Sequence, residues 1–369
     1  MVVVIIQPNV RANVTEIWIK VPSLSIRTRS GMNYKAQRKV GRMVRTTNPF
    51  LIIIPGLSFI AIFLYLARCN PSGGQCAGGN DHQSADIFSR DDSAIVHKKY
   101  KASLVVFILS APPLLTRREE LRNNWLQKQN KDVMIRFVLG TAKVTEKEFA
   151  ELKKENDKFK DLLYLTNVED AFKSLTRKVL EMMVWADSNV EFDYMLKVDD
   201  DSFVRLDVLQ RELESKSKVK LYWGFFDGRA HVHRNGKYGE ADWVLCDRYI
   251  PYALGGGYVI SSDLVHFVAR NAPYLKLHHA EDVSLGSWLA PVDVTREHDP
   301  RFDTEYKSRG CRNVYIISHK QSIESLRNKW QHLQSTGKMC ESEQQLRQSY
   351  VYNWNKLPSE CCERVQGVP

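Results

Sequence analysis

Three consecutive carboxylates, Asp199, Asp200 and Asp201, stand directly after the apolar run YMLKV (194–198). Adjacent carboxylates repel one another, and a divalent cation removes that repulsion while using their oxygens as ligands. The competing account is a solvated acidic turn, or a cap for a helix over 203–213. A second acidic pair, Glu281-Asp282, opens the helix-like stretch VSLGSWLA (283–290). An acid at a helix start either caps that helix or does chemistry from it. His319 closes the apolar run VYIIS (314–318), where a histidine is a structural group or a metal ligand. Gly255-Gly256-Gly257, between Leu254 and Tyr258, either lets backbone approach a ligand closely or makes a turn. His231 and His233 share a polar stretch with Arg234-Asn235-Gly236-Lys237 and read as an exposed loop.

The elements that must position these groups alternate in type. SLVVFIL (103–109), VMIRFVLG (133–140), DLLYL (161–165) and YMLKV read as short β-branched or apolar strands. Between them, residues 116–127 and the charged 145–156 read as helices, and 169–187 as a long amphipathic stretch. Strand–helix alternation at this spacing predicts an α/β fold with a Rossmann-like, mostly parallel sheet. Ligands in such sheets bind beyond the carboxyl ends of the strands. The three aspartates sit at such an end.

Of the 369 residues, 53 are Lys or Arg and 43 Asp or Glu. Residues 1–48 hold nine of the basic side chains and a single acid, Glu16. The excess charge therefore belongs to a tail. The remainder is nearly balanced, which removes the main argument for nucleic-acid binding by the larger part of the chain. The proportion of apolar residues excludes wholesale disorder.

Phe50 to Ala67 carries no charge over eighteen residues, long enough as a helix to span about 27 Å. With the basic flank before it and few cations after it, this run reads as a signal anchor whose positive side stays in the cytosol. The expected organisation is a basic cytosolic tail (1–48), a single-pass type II anchor (49–67), a Gly/Ser/Asp-rich flexible stem (68–98) and a lumenal catalytic domain (99–369). The sequon Asn13-Val14-Thr15 then lies on the cytosolic side, where it stays unmodified. Cys246, Cys311, Cys340, Cys361 and Cys362 fall in a disulfide-permissive compartment, with no pairing assigned. Met32 and Met43 are alternative starts to Met1.

Taken in chain order, five motifs resemble the β-1,3-glycosyltransferases of glycosyltransferase family 31. They are Arg118-x-x-Leu121-Arg122-x-x-Trp125, Phe192-Asp193-Tyr194-x-Leu196-Lys197-Val198-Asp199-Asp200-Asp201-x-Phe203, Gly255-Gly256-Gly257-Tyr258, Glu281-Asp282-Val283 and Ser318-His319-Lys320. The stretches 245–261 and 281–311 and the Cys361-Cys362 ending resemble the members that build the glycosaminoglycan linker. The resemblance implies a GT-A glycosyltransferase fold and an inverting, Mn2+-dependent transfer from UDP-galactose. The acceptor would be the galactosyl-xylosyl primer on proteoglycan core proteins, at the Golgi membrane beside other linker-region transferases. By resemblance, Asp201 and His319 are metal ligands and Asp282 is the catalytic base. Asp199 serves the ribose or the surroundings of the metal, and Asp200 the donor. Arg118, Arg122, Asp170, Lys178, Gly256 and Gly257 lie near the nucleotide sugar. The alternative for Arg118 and Arg122 is a surface pair with Glu119 or Glu120. Trp223, Trp243 and Tyr252 either stack on an acceptor sugar or are buried. The competing functions are transfer of another sugar such as N-acetylglucosamine, or a non-catalytic, chaperone-like lumenal role.

Overall fold

A computed structural model describes residues 3–9, 14–20, 100–237 and 239–369. The chain divides into two compact units, Met1–Arg90 and Asp91–Pro369. In the first, Val3–Asn9 pairs antiparallel with Val14–Lys20. Both segments are rich in the β-branched residues that strands favour. The apolar run Phe50 to Ala67, the stem, Asn13, Cys69 and Cys76 lie outside the described residues. Among the described residues no helix is long and apolar enough to cross a membrane.

The second unit is built on a seven-stranded mixed sheet. Its strands are β1 (Leu104–Leu109), β2 (Val133–Gly140), β3 (Leu162–Leu165), β4 (Tyr194–Asp199), β5 (Leu221–Asp227), β6 (Tyr252–Ser261) and β7 (Thr295–His298). They lie in the order β7-β5-β6-β4-β1-β2-β3. Strands β4, β1, β2 and β3 are mutually parallel, while β6 runs antiparallel to both β4 and β5. All six residues of β1 are buried. That is what a central parallel strand covered on both faces requires, and it explains the unbroken apolar spelling.

The helices are α1 (Leu115–Arg122), α2 (Glu146–Phe159), α3 (Leu175–Asn189), α4 (Leu206–Leu213), α5 (Ser262–Asn271), α6 (Glu281–Trp288) and α7 (Ile323–Thr336). Helix α3 packs on α5 and α6, and α1 on α7. Thr145 and Glu148 form a reciprocal capping box at the start of α2. Helix α3 begins later than its amphipathic pattern suggests, because residues 172–174 form a tight 3-10 turn first.

The three glycines are not in a turn. They lie inside β6, and none has a positive φ. Because β6 runs against β4, with Gly257 opposite Val198, Gly256 comes level with Asp199, the last residue of β4, and Gly255 lies one residue beyond it. A small three-stranded sheet completes this edge. Ile317–Ser318 is its middle strand, antiparallel to Phe203–Val204 and parallel to Phe302–Asp303. Cys311 is bridged to Cys340 and Cys361 to Cys362, while Cys246 is unbridged and exposed.

Candidate active site

The short sheet brings His319, from far along the chain, onto the aspartates. Its Nε2 lies 2.9 Å from Asp201 Oδ1 and 3.3 Å from Asp199 Oδ2. Two backbone bonds hold it there: His319 N–H donates to Asp303 O, and Gln321 N–H to Asp201 O. Ligand atoms of Asp199, Asp201 and His319 all fall within 4.8 Å of one another. Neither ring nitrogen of this buried histidine has a well-aligned hydrogen-bond partner. Burial opposes a charge on His319, but the two carboxylates outweigh it and push its pKa up to about 9. A site that draws a proton onto a histidine between two carboxylates is one where a cation can replace that proton. Two hard oxygen donors and one imidazole fit a divalent metal.

Asp199 and Asp201 are both held below the usual aspartate range. Burial works against this at each, and is outweighed by Lys197 and His319 at Asp199 and by His319 at Asp201. Asp200 points elsewhere. It accepts a hydrogen bond from Ser110 Oγ at 2.8 Å, at the end of β1, with Arg117 3.8 Å away. Burial pushes its pKa up to about 6.

Gly255 and Gly256 explain how the second acidic pair approaches. A Cβ on Gly256 would collide with the His319 ring, and one on Gly255 would stand 2.6 Å from Glu281 Oε1. A Cβ on Gly257 would meet Ile317 and Val198. On the side a Cβ would occupy, the space these glycines leave is filled by the protein's own side chains.

Glu281 is buried at the start of α6, between Lys197 Nζ at 2.5 Å and the Tyr258 hydroxyl at 3.0 Å. Burial raises its pKa to about 7. Asp282 is half-buried and accepts from Gly255 N–H and Val283 N–H, each at 2.9 Å. Burial also raises its pKa. Neither acid caps its helix through the preceding residue, since Ala280 occupies that position.

Lys197 was part of a motif but carried no role in the sequence reading. Its side chain is buried and bonds Asp199 Oδ1 at 2.9 Å, Glu281 Oε1 at 2.5 Å and Gly255 O at 2.5 Å. The available signal was a lysine interrupting an otherwise apolar buried strand, which demands paired carboxylates nearby.

Asp170 and Lys178 are brought together at the same edge of the sheet. Lys178 Nζ lies 2.9 Å from both Asp170 oxygens and 2.5 Å from Ser110 O, while Asp170 accepts from Gly140 N–H at 2.9 Å. Asp170 precedes α3 rather than beginning it. Arg118 and Arg122 are paired with acids of the protein itself. Arg118 is fully buried and forms a two-pronged pair with Glu155 at 2.7 and 2.8 Å. Arg122 bonds Asp161 and the same Glu155. The surface pairing with Glu119 or Glu120 is likewise replaced, because both arginines turn inward to acids of α2 and the following loop. Trp223, Trp243 and Tyr252 are buried, and His231 and His233 are exposed.

A mixed α/β sheet carries carboxylates and a histidine clustered at its carboxyl edge, in an arrangement consistent with a divalent cation, beside the acidic pair Glu281-Asp282. A family model described as Galactosyltransferase matches residues 116–300, and the chain belongs to that family of enzymes. It is 48% identical over 322 residues to mouse (Mus musculus) beta-1,3-galactosyltransferase 6, covering 85% of this chain and 95% of that relative. It is 34% identical over 203 residues to UDP-GalNAc:beta-1,3-N-acetylgalactosaminyltransferase 2 of Xenopus laevis, covering 54% of this chain and 40% of the relative. Among solved structures, galactosyltransferase LgtC with donor and acceptor sugar analogs aligns at 14% identity. That match covers 58% of this chain and 86% of LgtC, with a TM-score of 0.35.

Proposed function

We propose that the protein transfers galactose from UDP-galactose, with inversion, to the 3-hydroxyl of the galactose in Galβ1-4Xyl on proteoglycan core proteins. The observation that carries this reading is the 48% identity spanning 95% of the mouse beta-1,3-galactosyltransferase 6. The juxtaposition of the two acidic clusters supports the chemistry.

In this reading Asp201 and His319 would hold a Mn2+ ion, with Asp199 beside them, and an ion bound there would offset charge developing on the departing diphosphate. The residues of the chain do the rest. Inversion requires the acceptor hydroxyl to attack the face opposite UDP. As its oxygen bonds to C1 of galactose, the C1–O bond to the β-phosphate breaks and UDP leaves with the electron pair. The acceptor proton passes to the Asp282 carboxylate. Two backbone N–H groups fix that carboxylate, and its raised pKa makes it a stronger base. Two carboxylates flanking one bond also occur in glycosidases, but the metal-binding triad beside the pair favours transfer.

The apolar run at 49–67 would anchor the protein as a type II membrane protein of the Golgi, with the catalytic unit lumenal. Protease added to intact microsomes should then spare residues 99–369, and their digestion would reverse the orientation. For the reaction, the protein is incubated with UDP-galactose, Mn2+ and a β-galactosyl-1,4-xyloside, and the product is read by NMR. A β-1,3-digalactosyl product lost on chelation is the expected result, and a different linkage would overturn the proposal. A second reading, transfer of an N-acetylhexosamine, is favoured by the similarity to the Xenopus relative. Faster turnover with UDP-N-acetylgalactosamine or UDP-N-acetylglucosamine than with UDP-galactose would select it.

A further inference from the structure

We infer that Lys197 is a positioning residue that ties the metal-holding end of the site to the base-holding end through a single ammonium group. The inference rests on the proposed roles of Asp201, His319 and Asp282. Its own ground is geometry: Lys197 bonds Asp199 at the edge of the metal cluster but touches neither Asp201, His319 nor Asp282.

Lys197 sits in the middle strand of the sheet, opposite Tyr258 of β6. Its side chain is 1% exposed, so its three protons have no water to satisfy them. They are satisfied from three separate elements. Asp199 Oδ1 belongs to the end of β4, Gly255 O to β6, and Glu281 Oε1 to the first turn of α6. Asp199 in turn approaches His319 through its other oxygen, at 3.3 Å from Nε2. Glu281 is continuous in sequence with Asp282, and Gly255, whose carbonyl Lys197 grips, donates its own N–H to Asp282 Oδ2. One ammonium therefore reaches the metal side by one path and the base by two.

The electrostatic need for it is equally local. Asp199, Glu281 and Asp282 converge around the buried Lys197 ammonium, and like charges this close repel unless a cation stands among them. Tyr258 supplies Glu281 with only a neutral hydroxyl. Without Lys197, Glu281 and Asp199 have no shared counter-charge, and both the carboxylate beside the metal and the first turn of α6 lose a fixed reference. Groups behind metal ligands and bases typically change affinity or rate by about 10–100-fold when removed, and a displacement of about 1 Å at a reacting group can cost about a hundredfold.

The test compares Lys197→Met and Glu281→Gln with the wild-type full chain. Folding is checked by circular dichroism and thermal melting. UDP binding is measured calorimetrically with and without Mn2+, and kcat and KM for UDP-galactose are determined separately. Folded Lys197→Met should weaken Mn2+-dependent UDP binding about tenfold and lower kcat about a hundredfold. Glu281→Gln, which keeps the shape but loosens only the base end, should lower kcat about tenfold and leave Mn2+-dependent UDP binding within about twofold of wild type. A Lys197→Met protein that melts earlier yet binds Mn2+ and UDP as wild type does, with unchanged kcat, would show a purely structural lysine and overturn the inference. If Lys197→Met does not fold, Glu281→Gln decides: unchanged kcat overturns the inference, and a loss confined to kcat supports it. Wild-type UDP binding indifferent to Mn2+ would instead overturn the metal reading, and the inference with it, before any variant is compared.

Discussion

At the end of β4, Asp199 and Asp201 stand among His319, Lys197 and Lys320, and both are held below the ordinary aspartate range. At the start of α6, Glu281 bonds Lys197 while Asp282 accepts from two backbone N–H groups, and burial raises both. The two acidic clusters come within reach of one another across the glycines of β6, yet their surroundings push them in opposite directions. Where neighbouring carboxylates are separated in this way, the environment assigns the roles. The group kept ionised among cations suits metal holding, and the group made more basic suits proton uptake. Asp200 shows that adjacency in sequence is not enough. One residue from each of the low-pKa aspartates, it turns to Ser110 and is raised to about 6 by burial.

The most direct way to break this division is Asp282→Asn. Turnover should fall about a thousandfold, while Mn2+-dependent UDP binding stays near wild type. In the wild type, kcat should rise with pH as the Asp282 carboxyl loses its proton. Because its pKa is raised, that limb should lie above the ordinary aspartate value of 3.8. A limb at or below that value would contradict the assignment. At the other end, Asp201→Ala should weaken Mn2+-dependent UDP binding by about a hundredfold, measured calorimetrically. Equal binding would remove Asp201 from the metal. Gly256→Ala sharpens the comparison because it strikes between the clusters. Its Cβ must displace the His319 ring, so metal-dependent UDP binding should fall about tenfold while the protein remains folded. The smallest effect on the site is expected at Arg118→Met. Removing one partner of the buried Arg118–Glu155 pair should cost about 3–5 kcal/mol of stability, read as a lower melting temperature. The KM for UDP-galactose should change by less than about twofold, and a large change in KM would return Arg118 to the donor site.

Much of the sheet was legible from local spelling. The runs of β1, β2 and β4 are continuous apolar stretches because both faces of a parallel strand are buried, and their observed bounds match that pattern closely. The antiparallel half was less legible. Strand β6 contains three glycines, which locally read as a turn, and only its pairing with β4 and β5 makes it a strand. The acidic clusters were visible as residue types at strand and helix ends. The fate of Arg118 and Arg122 was not. Their partners, Glu155 and Asp161, lie on a different helix and the loop after it, which the nearby Glu119 and Glu120 obscured.

By itself the sequence determined that acids would stand at the carboxyl edge of an α/β sheet, because strand periodicity and chain order fix which end of each strand they follow. Tertiary structure decided which acids meet. His319 reaches Asp201 only through pairing of short strands brought from distant parts of the chain. Glu281 reaches Lys197 only because β6 has no side chains at the crossing point. Ionisation follows the same division, since it depends on burial and on charges within a few ångströms, and those distances are set by packing rather than by neighbours along the chain.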